Sequence, residues 1–239
     1  METKLNYKRT FLIGLAFLSI CSFWQMYDNI IPLILQNTYH LGETMTGAVM
    51  ALDNVLAIFL LPVFGMLSDK VHTKLGRRMP FIVAGTILAV IFMMLLPMID
   101  NAEKARWSTG ESFSNQVIFL AVLFFTLVSM GLYRSPAVAL MPDVTPNHLR
   151  SRANAVINLM GAVGGVYALI MIKVLVGKGE TPDYLPLFAS IAAVMAIAVG
   201  ILVITIRENK LREEVEKAEA VNTETVSYTH LRAHETDQY

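Results

Sequence analysis

A few ionisable and amide side chains lie within stretches of the sequence that are otherwise apolar. Asp28 and Asp53 are the acids among them, and Arg134 is the cation. An ionisable group inside a membrane costs a few kcal/mol or more, so each such group is a candidate functional residue. The full set of candidates for binding a solute or a cation is Trp24, Gln25, Asp28, Asp53, Asn54, Arg134 and Asn158.

Six long apolar stretches must position these side chains. A helix that crosses a bilayer needs about 20 apolar residues, and in hydrocarbon only helices or closed barrels satisfy the backbone. Stretches of this length therefore predict an all-α membrane protein with a six-helix transmembrane bundle over residues 11–206. The predicted spans are Phe11–Leu35, Met45–Leu67, Pro80–Met98, Val117–Met141, Ala153–Val176 and Tyr184–Ile206.

Composition argues against several classes of protein. Hydrophobic residues make up 55% of the 239 residues, and Lys plus Arg equals Asp plus Glu at 19 each. Proteins that bind nucleic acid usually carry a basic excess, so no nucleic-acid partner is expected. The sequence shows no nucleophile–base pair and no metal-ligand set, so we predict neither an enzyme nor a cofactor. Cys21 is the single cysteine and cannot form an internal disulfide.

The loops differ in their content of lysine and arginine. Because cytoplasmic loops carry an excess of these residues, we predict that both ends of the bundle are cytoplasmic and that the protein is multi-pass in the plasma membrane. Residues 1–10 then form a cytoplasmic N-terminus. The loop residues on the predicted cytoplasmic side are Lys4, Lys8, Arg9, Lys70, Lys74, Arg77, Arg78, Arg150, Arg152, Arg207, Lys210 and Arg212.

The two acids lie at similar predicted depths. With a rise of 1.5 Å per residue, Asp28 and Asp53 both fall about 10–12 Å inside the outer surface. Two carboxylates at one depth in a low dielectric cannot both stay charged without a cation. One of them carries a proton, or both surround a sodium ion with Asn54 supplying a neutral oxygen. Alternatively each acid pairs with a fixed partner such as Arg134 and only holds helices together.

Other polar and aromatic groups could line a cavity or pack the helices together. Arg134 and Asn158 are placed in an inner layer, where they line a cavity, although Arg134 could instead reach the membrane surface. Trp24 lies one turn before Asp28 and is a candidate stacking platform under a sugar ring. Gly161 and Gly165 form a small-xxx-small pair, which favours close packing of helices.

The segment GMLSDKVHTKLGRRMPFIVAG, between the second and third spans, is the most specific local signal. Gly65 permits close packing, and Asp69 can cap a neighbouring helix N-terminus, where a carboxylate is favoured. Arg77 and Arg78 can pair with acids across the cytoplasmic face. A simple positive-inside loop explains the arginines, but it does not explain Gly65, Asp69 and Gly76 together.

This segment resembles the signature loop of the major facilitator superfamily. Its longer form, G-x-x-S-D followed by G-R-R-x-P-F-I, is similar to that of sucrose transporters and of glycoside–pentoside–hexuronide cation symporters. The segment YRSPAVALMPDVTPNHLRSRANAVINLMG adds to the resemblance through Arg134, Pro136, Asp143, Arg152, Asn154 and Gly161.

The resemblance implies two six-helix halves, each made of two three-helix repeats, that rock around a central site. It implies a conformational gate formed by Gly65, Asp69, Gly76, Arg77 and Arg78, with Asp143 and Arg152. It also implies that acids on the first two spans serve the sugar and the cation, so that the coupling ion is H⁺ or Na⁺.

Six spans are half of the family's twelve. We therefore expect the N-terminal half of a truncated gene product that lacks a C-terminal six-helix half as partner, with pairing of two copies as the alternative. Residues 207–226 are predicted to be a solvated cytoplasmic linker helix. Residues 227–239 match nothing before them and are interpreted as a non-native tail.

The function expected from the sequence is proton- or cation-coupled symport of a sugar or glycoside through a secondary active transporter. Asp28 would bind substrate hydroxyls or carry the proton, and Asp53 with Asn54 would complete the cation site. Two alternatives stay open, namely an exporter of other small molecules and a membrane scaffold or sensor that transports nothing.

Overall fold

The structure, a computed structural model, describes residues 5–107, 115–177, 179, 181–217 and 219–220. Six of its helical segments are long and apolar enough to cross a membrane, which confirms the predicted all-α fold with six spans. The helices are α1 (Tyr7–Asn37), α2 (Glu43–Met50), α3 (Leu52–Lys70), α4 (Met79–Trp107), α5 (Gln116–Asp143), α6 (Arg150–Leu175) and α7 (Leu185–Thr205), with a 3₁₀ turn at Asn147–Leu149.

The second span is divided at Ala51. Helix α2 ends at Met50 and α3 begins at Leu52, whereas the sequence predicts one continuous helix. Apolar residues flank the break on both sides, so hydropathy gives no sign of it. The break places Asp53 in the first turn of α3, where the exposed N–H groups of a helix N-terminus favour a negative charge.

Helix α1 lies at the centre of the bundle. It packs mainly against α6 and α7, while α4 packs against α5 and α7, and α3 packs against α5. More than half of the most apolar stretch of α1 is buried, whereas none of the corresponding stretch of the second span is. Because α3 is held by α5 rather than by α1, a cleft stays open between α1 and α3.

A close approach of α1 and α6 depends on Gly164. A Cβ atom at this position would lie 2.0 Å from the carbonyl oxygen of Leu18, so only glycine fits. The Ser22 hydroxyl donates a hydrogen bond to the Gly164 carbonyl at 2.9 Å. The predicted seam on the fifth span is therefore real, but Gly164 makes the closest contact, and Gly165 faces the Gln25 side chain instead.

The two ends of the bundle carry different polar groups. We call the end where α3 joins α4 the basic end, and the end where α4 leads to α5 the distal end. At the distal end, Asp100 is fully buried. It accepts a hydrogen bond from Thr38 at 2.6 Å and forms an ion pair with Lys104 at 2.5 Å. These bonds explain why α4 continues to Trp107 instead of ending at Met98 as predicted.

The sequence predicts a solvated segment after α7, but the structure packs part of this segment against the bundle. Residues 208–217 are helical, and Val215 is buried while Leu211 packs against the core. The Asn209 amide donates to the carbonyl of Thr73 at 2.9 Å, and Glu214 lies 3.8 Å from Arg9. This helical segment therefore lies against the basic end. The predicted tail, 227–239, lies outside the described residues.

Candidate functional site

A pocket separates α1, α3 and α5 within the membrane-spanning region. Trp24 from α1, Asp53 from α3 and Arg134 from α5 line it, and the space between these side chains is narrow. The remaining lining residues are apolar or small, namely Leu56, Ala57, Leu60, Leu61, Leu127 and Gly131.

The charged groups of this pocket are not paired with each other. Arg134 lies over the Trp24 ring, 5.5 Å from its centroid. Within the described residues neither Asp53 nor Arg134 forms an ion pair. The only hydrogen bond to the Asp53 carboxylate in this part of the chain comes from its neighbour Asn54, at 2.9 Å. A fixed Asp53–Arg134 pair, which the sequence left open, is therefore absent from the described structure.

The Trp24 ring contacts three other side chains. Arg134 covers the ring, and Phe23 and Tyr27 pack edge-to-face at 5.3 and 5.4 Å. The indole Nε1 is buried without a hydrogen-bond partner among the described residues. A buried donor of this kind is unusual. The Trp24 ring is thus packed against protein side chains, and its role as a stacking platform under a sugar stays a prediction.

Asp28 lies on α1, is exposed and accepts no hydrogen bond from any described residue. Asn54 is exposed beside Asp53 on α3 and donates to its carboxylate. The cation site formed by Asp28, Asp53 and Asn54 stays a prediction.

Gln25 and Asn158 lie in a second depression, between α1 and α6. This open groove of about 370 Å³ is lined by both amides and by Cys21, with Phe17, Gly161, Ala162, Gly165, Val166 and Leu169. Its amides are donors and acceptors suited to hydroxyl groups. Trp24 and Gln25 are neighbours on α1, so the groove and the pocket flank the same segment of that helix. The structure thus divides the predicted inner layer, with Arg134 in the pocket and Asn158 in the groove.

The predicted gate residues form a compact network at the basic end, centred on Arg78. Its guanidinium group is buried, and it lies 2.6 Å from Asp69 and 2.9 Å from Asp143. It also donates to the Ser68 hydroxyl at 2.5 Å and to the Gly65 carbonyl at 3.3 Å. This network ties together the ends of α3, α4 and α5.

The N-terminus of α4 is capped by Glu208 and not by Asp69. The Glu208 carboxylate is 1% exposed. It accepts backbone hydrogen bonds from Arg77 at 2.8 Å, from Arg78 at 3.0 Å and from Met79 at 3.1 Å. Asp69 is occupied by its ion pair with Arg78.

Gly76 makes this cap possible. Its φ of 122° lies in a region that residues with a Cβ rarely adopt. An added Cβ would also collide with the Glu208 carboxylate. The sequence singled out Gly76 but not Glu208, because nothing local relates a loop glycine to an acid some 130 positions later.

Arg77 and Arg152 contribute less to the network. Among the residues that the structure describes, the Arg77 side chain donates only to the Asp69 carbonyl, at 3.5 Å. Arg152 is exposed and makes no hydrogen bond or ion pair within the described residues. The nearby Arg150 instead donates to the carbonyls of Pro142 at 2.8 Å and Thr145 at 3.1 Å, at the end of α5.

Six spans, a pocket with charged side chains inside the apolar bundle and a charge network at one end define an integral membrane protein. The model of the Major Facilitator Superfamily matches residues 8–235. The chain belongs to this superfamily.

Curated relatives are similar to a part of this chain. A sucrose transport protein of Arabidopsis thaliana, SUC4, is 35% identical over 116 residues, which are 46% of this chain and 22% of the relative. Sucrose transport protein SUT3 of Oryza sativa subsp. japonica is 26% identical over 137 residues, covering 54% and 27%. Sucrose transport protein SUC3 of Arabidopsis thaliana is 27% identical over 120 residues, covering 47% and 20%. The match therefore spans about a quarter of each relative's length.

Proposed function

We propose that this chain forms one half of a secondary active transporter that carries a sugar or glycoside together with a proton or another monovalent cation. The observation that carries the proposal is the pocket in which Asp53 and Arg134 face a common space without a partner. Unpaired charges in an apolar bundle are costly, and a passing polar solute would satisfy them. The similarity to sucrose transport proteins supports a sugar as that solute.

The side chains of the pocket match the surface of a sugar. Asp53 accepts hydrogen bonds, Arg134 and the Trp24 indole donate them, and the leucines contact the apolar faces of the rings. Gln25 and Asn158 in the adjoining groove extend the set of donors and acceptors. Asp28, with Asp53 and Asn54, supplies oxygens for the cation.

Alternating access requires a second wall. The unburied second span and the open groove beside α6 are the surfaces on which a second six-helix bundle would close. In this mechanism the basic end faces the cytoplasm of a cell whose plasma membrane holds the protein. The Arg78 network and the Glu208 cap would hold that end shut and open as the halves rock.

The native Cys21 tests the proposal without any engineering. It is the single cysteine of the chain and lines the groove with Gln25 and Asn158. Bound sugar should slow its alkylation by N-ethylmaleimide in purified protein, whereas mannitol at the same osmolarity should not. Cys21→Ser gives the labelling background. Alkylation at one rate with every sugar tested would reject sugar binding.

An exporter of apolar compounds is the second candidate, because four of the nine residues lining the pocket are leucines. It predicts that apolar compounds, and not sugars, protect Cys21. Protection by neither class of compound would favour a scaffold or sensor.

A further inference from the structure

The basic end carries a group of cations that form no ion pair within the described residues. The two acids next to them are already engaged, since Asp69 pairs with Arg78 and Glu208 caps α4. The group therefore keeps its positive charge at the surface. We call it the basic patch, and its members are Lys70, Lys74, Arg77, Arg207 and Lys210.

Hydrogen bonds hold the backbone that carries the patch. In the loop before α4, the Thr73 hydroxyl donates to the Gly76 carbonyl at 2.6 Å, and the Gly76 amide donates to the Thr73 carbonyl at 3.1 Å. The Asn209 side chain joins this loop to the segment after α7, because it donates to the carbonyls of Thr73 at 2.9 Å and Lys74 at 3.3 Å. The two patch cations after α7 flank Asn209 in the chain. The two parts of the patch are thus held next to each other.

Arg77 is the most firmly placed cation of the patch. Its backbone amide donates to the Glu208 carboxylate at 2.8 Å. Its Nε atom is buried and has no hydrogen-bond partner among the described residues, and one terminal nitrogen makes only a long contact of 3.5 Å with the Asp69 carbonyl. A guanidinium group presents its donors in a planar fork that matches the oxygens of a phosphate group. An anion is therefore the partner that the Arg77 side chain lacks.

The patch borders apolar side chains that face outward from the bundle. Lys70 is the last residue of α3 and follows the exposed Leu67 by three positions. Arg207 follows Ile204, which is 82% exposed at the end of α7, by the same spacing. Leu75, within the loop itself, is 53% exposed. Cations that stand where two apolar spans end, around an exposed leucine, lie at the depth of lipid headgroups.

We propose that the basic patch binds the phosphate group of an anionic phospholipid, with Arg77 as the fixed donor and the other cations around it. Clusters of about four to eight cations directly beyond a membrane span attract anionic lipids. In the proposed mechanism the basic end faces the cytoplasm, where the leaflet carries a negative surface potential. The exposed apolar side chains beside the patch favour a lipid over a soluble phosphate.

A general excess of cations on the cytoplasmic side would make a different prediction. Such an excess follows from membrane insertion alone and attracts anionic lipids by charge. Lysine would then serve as well as arginine at every position. A site built around Arg77 differs, because lysine lacks the planar fork of donors.

Arg77→Lys keeps the charge and removes the fork. The readout is retention of dioleoylphosphatidylglycerol by the purified chain in detergent, measured by native mass spectrometry over a series of lipid concentrations without sugar. We expect half-maximal retention to need about five- to tenfold more lipid than in the parent, as for one lost charged hydrogen bond. Arg152→Lys is the matched control, because it makes the same change at an exposed arginine outside the patch. It should retain the lipid as the parent does.

Three outcomes would overturn the inference. The first is equal retention by Arg77→Lys and the parent, and the second is an equal loss in Arg152→Lys, which would indicate a general preference for arginine. The third is equal retention of zwitterionic dioleoylphosphatidylcholine by the parent. If sodium phosphate displaces the lipid at an ionic strength at which sodium chloride does not, a soluble phosphate replaces the lipid as the ligand.

The double variant Lys70→Gln with Lys74→Gln provides the test if Arg77→Lys folds poorly. Both lysines are exposed and form no ion pair in the described part of the chain, so their loss should leave the melting temperature unchanged. Half-maximal retention should need about twentyfold more lipid, at about fivefold for each cation. Unchanged retention would reject the patch as a lipid site. Because these measurements contain no sugar, their failure leaves the proposed transport function standing.

Discussion

Charged side chains are paired at the basic end but not paired with each other in the pocket. At the basic end, Arg78 has four partners and Glu208 accepts bonds from three backbone amides. In the pocket, Asp53 and Arg134 share a space without pairing, and Trp24 Nε1 is buried and unsatisfied. Both regions lie in one small bundle. The network charges are thus paired within the described residues, whereas the pocket charges are not paired with each other, and the proposed function gives the pocket charges a solute as their partner.

Loss of Arg78 should have the largest effect on stability. Arg78→Ala leaves Asp69 and Asp143 without their cation and removes the charged hydrogen bonds of a buried guanidinium group. Because both acids are partly exposed, the cost is about 2–3 kcal/mol. A large fall in the melting temperature of purified protein in detergent is expected. Arg152→Ala, which removes an exposed arginine outside the network, is the matched control. Equal melting temperatures for the two variants would mean that the network does not stabilise the fold.

Gly76→Ala should cause the second-largest loss of stability. The change strains a backbone with φ of 122° and forces the Glu208 carboxylate away from the α4 N-terminus. Left-handed strain and a displaced cap together cost about 2 kcal/mol. Gly179→Ala, in an open loop where a Cβ meets nothing, is the control for chain stiffening. A melting temperature equal to that of the parent would contradict the close fit described for Gly76.

Glu208→Ala should cost less, about 1 kcal/mol, because water replaces part of a lost cap. The variant should also loosen the helical segment 208–217, seen as faster hydrogen exchange of its amides. Glu213→Ala, an exposed acid in the same segment, should change neither quantity. Unaltered exchange in Glu208→Ala would show that other contacts hold the segment against the bundle.

Asp53→Asn should have almost no effect on stability but a large effect on binding. The carboxylate has no cationic partner to lose in the described structure, so a melting temperature close to the parent's is expected. Protection of Cys21 by bound sugar should weaken at the same time. A strongly destabilised Asp53→Asn would show instead that this acid serves the fold, and the contrast between the two regions would disappear.

The contribution of the distal end to the stability of the fold should change only at alkaline pH. Burial first, and Asp100 second, raise the pKa of Tyr184, and burial followed by Asp100 and Glu103 raises the pKa of Tyr39. Both phenols are neutral below about pH 10, the value of a free tyrosine. Their contribution to stability is complete below that pH and is lost as the pH rises through the raised folded-state pKa. Thermal unfolding from pH 8 to 11 should show a smaller alkaline loss in Tyr184→Phe, and an identical loss would contradict the assignment.

The sequence predicts the spans well because hydropathy is a local property. Asp28, Asp53 and Arg134 are also visible in it, since each stands out against an apolar background. The partners are not visible in this way. Glu208 reaches the α4 N-terminus only after the loop around Gly76 has turned, and a fold is required to bring these segments together.

Two further features depend on tertiary contacts. Asp100 looks like the end of the third span, but Thr38 and Lys104 satisfy its carboxylate and α4 continues past it. Tyr27 looks like ordinary aromatic packing, and only its missing hydrogen-bond partner distinguishes it. The sequence signal that could have indicated the Glu208 cap is a loop glycine before two arginines combined with an acid directly after the last span.

Equilibrium binding of radiolabelled sucrose to the purified chain tests most directly whether the unpaired pocket charges are kept for a solute. We predict saturable binding by the parent, and binding at least tenfold weaker in Asp53→Asn at an unchanged melting temperature. The absence of saturable binding in the folded parent, or equal affinity in the two proteins, would contradict the claim that the pocket charges are kept for a solute.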